Sequence, residues 1–398
     1  MLFIVAGGMG VFFRFGVAYG WTGGLRLENI RHAHSHLMYF GWGTPLLMGL
    51  IWHSLPKSAT APYRRLFRWA VGCTLGAALL AYPPFLLYGY SLVPIGTAEL
   101  PIAAMAAGLN IFCWYGFAGL YVRTTANLSR TAPLRIWDVA VGFLFLSTLG
   151  AWGLPLAAPL GLGTPLGTTA LIHFFLDLFS EGWFVLGAVG LAWSRLRQDK
   201  ESRPPWPVYL AGAGVPLTFL FALPPDRLAW WAKLLGRFGG TAVGAGAAWI
   251  ALTLWRSGRS VSWIWAMPIG LLLAKALAGL GGSIFPGLWL GTWHGLRILY
   301  LHLSLLGFFS AALVAGSWDT WGRLRPSAIA SFYGAIGLVL ISLVPLTSAI
   351  PSGSGSYTLA AWVAPLPVLA AAWLLADSLK TAVHSPAEGP LWTRRDRK

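Results

Sequence analysis

A chain of 398 residues in which 57% of side chains are hydrophobic and only 10% are charged has too little polar surface to cover a soluble domain. The net charge of +16 sits in short loops between apolar runs of about 20 residues, each long enough to cross a bilayer core. That placement marks topology and excludes nucleic acid as a partner. The lipid bilayer is the partner it implies. Cys73 and Cys113 each sit inside an apolar run without a CxxC neighbour, which suggests packing residues and no disulfide framework or thiolate site.

The apolar runs predict an all-α integral membrane protein, a bundle of about twelve transmembrane helices. The spans fall near 2–20, 31–53, 66–90, 98–122, 136–158, 167–195, 206–223, 238–257, 261–281, 290–315, 327–350 and 358–379. No connection is long enough to separate domains, so residues 1–398 are expected to form one polytopic domain. The first run lacks a basic leader and reads as an uncleaved first helix. Lys and Arg collect in alternate loops: Lys57, Arg64, Arg65 and Arg68; Arg123, Arg130 and Arg135; Arg195, Arg197, Lys200 and Arg203; Arg256 and Arg259; Arg323 and Arg325; and the tail from Lys380. The opposite loops at 91–97, 159–166, 282–289 and 351–357 have none. Both termini are therefore expected in the cytoplasm, with the protein in the inner (plasma) membrane. Residues 224–237, with Arg227, Lys233, Arg237 and several Trp and Leu, break the pattern and suggest an interfacial helix at the outer surface.

Span two opens on Arg31-His32-Ala33-His34-Ser35-His36. Ionisable groups in a bilayer helix imply a partner or a task. His32 and His36, four apart, share a face and offer a possible two-histidine chelate, while His34 points the other way with Arg31 near it. The bland alternative is an interfacial cap without a ligand role. Span six carries His173, Asp177 and Glu181 at spacings of four and four, a single stripe of imidazole and carboxylates. Such a stripe suits iron, zinc or manganese; a proton relay or a buried charge network without metal uses the same groups. Span ten holds His294, Arg297, Tyr300 and His302. By the predicted directions of the spans, these groups, Lys275 and Arg14 collect in the outer half of the membrane.

Arg31-x-x-His34 followed by Phe40-Gly41-Trp42 resembles the second helix of heme–copper oxidase subunit I, closest to the C-type oxidases and nitric oxide reductases. The resemblance spans the chain at the level of twelve helices, with its motifs on spans two, six and ten. It implies that His34 ligates a low-spin heme b. On span ten the family carries His-x-His with a glycine five residues on; His302 and Gly307 match the second histidine and that glycine, and Tyr300 stands at the first. His302 is thereby implied as the other axial ligand, and Tyr300 stands at the ligand position of the high-spin heme. The reductases' His–x3–Glu–x3–Glu pattern on the sixth helix implies a non-heme metal (iron, zinc, manganese or copper) at His173, with Asp177 in place of the first glutamate and Glu181 beyond it. His294 and the His32/His36 face are further candidate ligands. Arg31 and Arg297 are candidate propionate partners. Span seven has no histidine pair where the family has one.

The resemblance implies a membrane oxidoreductase acting on nitric oxide, oxygen or quinol, fed by a quinol or cytochrome donor. In that reading His173, Asp177, Glu181 and Tyr300 make up the catalytic second site. A non-catalytic heme- or metal-binding protein for sensing, delivery or nitric-oxide tolerance is the alternative. A transporter with a protonatable core and no heme is the third possibility.

Overall fold

The computed structural model describes residues 1–157, 159, 161–197, 206–256, 261–285, 288, 294–322, 324–347 and 355–384. Helix dominates because a backbone in apolar surroundings must satisfy its own N–H and C=O groups, and a helix does so within one segment. Each of the twelve predicted apolar stretches is helical over most of its length. Among the described residues, ten helices are long and apolar enough to cross a membrane. The remaining two stretches are 27–54, where the arginine and three histidines interrupt the apolar pattern, and the shorter helical stretch Trp206–Phe221.

Two local expectations are corrected. The predicted interfacial segment 224–237 is not a separate helix. A short 3-10 turn at Pro225–Arg227 leads into one helix, Trp230–Trp255, which continues through the predicted span. Its exposed Trp230, Trp231, Leu234 and Leu235 are the first turns of that helix. The loop before span four is also not wholly irregular: Val93–Ile95 pairs antiparallel with Ala98–Leu100 around Gly96, whose φ of 62° makes the turn.

The helices form two compact units, each assembled from separate stretches of the chain: Met1–Ala126, Gly316–Pro345 and Pro351–Lys398 in the first, Asn127–Ala315 and Leu346–Ile350 in the second. In the first unit, Leu27–His36 is seated by two neighbours. Asn29 Nδ2 donates to Leu87 O at 3.0 Å, satisfying a carbonyl that the end of helix Arg64–Tyr88 leaves open. Gly89 completes that helix end with φ 59°, and a side chain there would strike Asn29. The basic loops of this unit lie at one end. Trp52 stacks on Phe67, Arg123 Nε donates to Tyr63 OH at 3.2 Å, His53 meets Trp321 edge-on, and Arg325 pairs with Asp377 at 2.9 Å.

The second unit contains Ala132–Leu156, Pro165–Asp177, Trp230–Trp255, Trp263–Ile284 and His294–His302. Helix Pro165–Asp177 starts on Thr164, whose side chain accepts from Gly167 N–H. Three helices share a feature the sequence does not announce. Each widens into a π-helical segment directly after one of its ionisable residues: Leu37–Gly43 after His36, Leu178–Val185, which itself holds Glu181, after Asp177, and Leu303–Phe309 after His302. Such insertions in α-helices concentrate at functional sites, and here they fall on spans two, six and ten.

Candidate functional site

The second unit gathers charge around Glu181. Its side chain is buried and ion-paired with Lys275 Nζ, itself only 1% exposed. The other carboxylate oxygen accepts from Tyr300 OH at 3.0 Å, and the Lys275 ammonium sits 5.4 Å from the centre of the Tyr300 ring. Two charges leave water together at a tolerable cost only when each finds a counter-charge and hydrogen bonds; this geometry supplies both. Arg297 Nη2 lies 2.6 Å from Nδ1 and 2.9 Å from Nε2 of buried His173. A guanidinium only donates, so Arg297 sits against this imidazole as a cation beside both ring nitrogens. Asp177, Glu181, Arg297 and Tyr300 share the wall of a cavity of about 30 Å³ with Ser180 and Thr218, enough for a water molecule and far too small for a porphyrin.

The predicted stripe on span six is thus brought together, yet its donor atoms face cations. Among the described residues no group of three or more His, Cys, Asp or Glu side chains is arranged to hold a metal ion. His173 meets Arg297 and Glu181 meets Lys275, so these residues do not fit a metal. Tyr300 is turned to the same cluster, its hydroxyl donating a hydrogen bond to Glu181 Oε1, and its position is not that of a heme ligand. Lys275 is the partner that reasoning along single helices missed. The signal was present, since a lysine within a bilayer helix requires a counter-ion, but Glu181 lies 94 positions away.

In the first unit the three histidines of span two divide as their spacing predicts. His34 faces the helix Leu2–Tyr19, with Nδ1 2.7 Å from Ala6 O. Its ring lies against Gly10, where a Cβ would come within 2.7 Å of Cε1. His32 and His36 face the other way. His36 stacks on Phe85 with ring centres 3.8 Å apart, and His32 meets Tyr90 edge-on at 4.7 Å.

Hydrogen bonds separate the three chemically. A carbonyl oxygen only accepts, so Nδ1 of His34 carries the proton and Nε2 carries the lone pair. Tyr90, just past the end of helix Arg64–Tyr88, has its hydroxyl 2.9 Å from His36 Nε2. Nδ1 of His36 is buried without a hydrogen-bond partner among the described residues. His32 Nε2 is 3.4 Å from Glu28 Oε1. The two-histidine face is packed as an aromatic and hydrogen-bonded cap against Phe85 and Tyr90. Arg31, half exposed, pairs with Glu28 at 3.5 Å.

His302 ends its helix with Nδ1 2.8 Å from Ile298 O, so it adopts the same tautomer as His34. A metal-bound histidine uses one ring nitrogen and typically donates the other N–H to a carbonyl or carboxylate. His34 and His302 both make the second of these contacts, through Nδ1. They belong to different units. The side chain of His294 lies outside the described residues, as do Lys200, Arg203, Arg259, Arg323 and residues 385–398. The chain matches no family model and no curated protein.

Proposed function

We propose that this chain is a multi-pass protein of the inner membrane that carries one low-spin heme b on His34 and His302 and passes electrons from a quinol or cytochrome donor. The observation that supports it most is the shared tautomer: both imidazoles give Nδ1–H to a backbone carbonyl, the hydrogen bond that typically orients a metal-bound histidine. The π-helical turn directly after each of these histidine-bearing segments favours the same pair. When bound, the heme supplies a one-electron couple. The chain holds the two rings in orientation, and Arg31 offers a guanidinium suited to a propionate.

In this reading the residues of span six do not bind a second metal. Glu181, Lys275 and Tyr300 form a compensated cluster, and Asp177 and Arg297 face the neighbouring water-sized cavity. Their task is to hold charge and protons beside the electron carrier, and an oxygen-reducing binuclear centre is not part of the proposal. The purified protein should show a six-coordinate heme b difference spectrum that carbon monoxide leaves unchanged, because neither axial position is open. One heme and no stoichiometric non-heme metal is the expected content. A carbon monoxide shift, or a full equivalent of iron, copper, zinc or manganese beyond the heme, would reject this form of the proposal.

One observation favours a second reading. A buried Lys–Glu pair beside a water-sized cavity also suits a transporter with a protonatable core. That protein would contain no heme, and the same spectrum separates the two.

A further inference from the structure

A groove of about 590 Å³ runs along the outside of the first unit between helices Arg64–Tyr88 and Ile102–Thr125. Trp69, Cys73, Phe112 and Gly116 line its apolar length, and Arg123 closes one end. We propose that this groove binds one anionic phospholipid, with its phosphate on Arg123 and an acyl chain laid along Gly119, Gly116 and Cys113. The proposal rests on the membrane reading given above.

Three observations select this occupant. Length comes first. From Arg123 to Phe112 is eleven helical positions, about 16 Å at 1.5 Å per residue, which matches half of a hydrocarbon core about 30 Å thick. A helix from a second copy would need the full thickness; an acyl chain of one leaflet needs half. Charge comes second. Arg123 is exposed and held by Tyr63 OH, and Arg64, Arg65, Arg68 and Lys57 lie on or just before the first turn of the adjacent helix, the arrangement that recruits anionic headgroups. Space comes third. A Cβ added at Gly116 or Gly119 would meet nothing within 4 Å, so the chain leaves these positions open instead of packing them. Cys73 and Cys113, distant in sequence and read as ordinary packing residues, lie in the same groove.

Native mass spectrometry of full-length protein from nanodiscs of equal phosphatidylglycerol and phosphatidylcholine tests this. Wild type should retain one phosphatidylglycerol in clear preference. Arg123→Gln should reduce that preference about fivefold, from the roughly 1 kcal/mol that one basic residue contributes near an anionic surface. Gly116→Leu/Gly119→Leu fills open space without a clash and should abolish retention of either lipid. The proposal is overturned if wild type retains both lipids equally or if both variants match wild type. It is equally overturned if the glycine variant instead abolishes a dimer. Alkaline washing of membranes tests the membrane reading separately: release of the protein would sink that reading, whereas a protein that stays embedded but shows no lipid preference sinks only the groove assignment.

Discussion

The region around His34 and the region around Glu181 solve the same problem by opposite means. Around Glu181 buried polar groups are met by cations, Lys275 on the carboxylate and Arg297 on the imidazole of His173. Around His34 no ionised partner among the described residues is hydrogen-bonded to the ring. Ala6 O takes its proton, and the neighbouring His36 is held by Tyr90 and the face of Phe85. Coordination needs a neutral imidazole with a lone pair, and only the second arrangement keeps one for His34. Cations face the donor atoms of the span-six stripe, whereas His34 and His302 each give Nδ1–H to a backbone carbonyl.

The contrast breaks most severely at the charged pair. Lys275→Met leaves a buried, uncompensated Glu181 and should cost about 3–5 kcal/mol. The double variant Lys275→Met/Glu181→Leu should recover most of that loss, because a buried pair replaced by apolar residues of similar volume is close to neutral. Unfolding midpoints in detergent decide between these outcomes. A double variant no better than the single one would show that the pair is not the unit of stabilisation.

The histidine region should respond to shape instead of charge. Gly10→Leu drives a side chain into the His34 ring and should cost about 1–3 kcal/mol by overpacking, with loss of heme. Gly8→Leu, two positions away where nothing lies within 4 Å, should leave both stability and heme content at wild-type values. Equal behaviour of the two variants would contradict the seating of His34 against that helix.

Smaller effects sharpen the division among the histidines. Tyr90→Phe removes the hydrogen bond to His36 Nε2 and should cost about 0.5–1.5 kcal/mol without changing heme content. A changed heme spectrum in this variant would return the His32/His36 face to the list of ligands. Arg31→Gln breaks a half-exposed pair with Glu28 and should shift stability by no more than about 1 kcal/mol. A shift above 2 kcal/mol would mean that Arg31 has a buried partner.

Hydropathy made the helical stretches legible, because span length follows directly from the thickness of a bilayer. The opposed faces of His34 and of His32/His36 were legible too, since α-helical spacing alone separates positions two and four apart. Spacing along one helix says nothing of what faces it from another. The stripe His173/Asp177/Glu181 therefore read equally well as a metal site or a relay until Lys275 and Arg297 were seen against it. The π-helical turns were also invisible, because they arise from packing between helices and carry no local signature. One of them begins between Asp177 and Glu181, so face arithmetic based on 100° per residue does not hold there. The hairpin at 93–100, with strands of three residues each, leaves no such signal, and its second strand takes up the first three residues of the predicted fourth span, 98–122.

The most direct test of the central claim is the redox difference spectrum of three purified variants measured beside wild type. His34→Ala and His302→Ala should each abolish the six-coordinate heme b signal. His53→Ala, whose ring meets Trp321 among the basic loops of the first unit, should retain it at full intensity per protein. An unchanged heme spectrum in both His34→Ala and His302→Ala, or a wild-type protein purified without heme from heme-replete cells, would contradict the assignment.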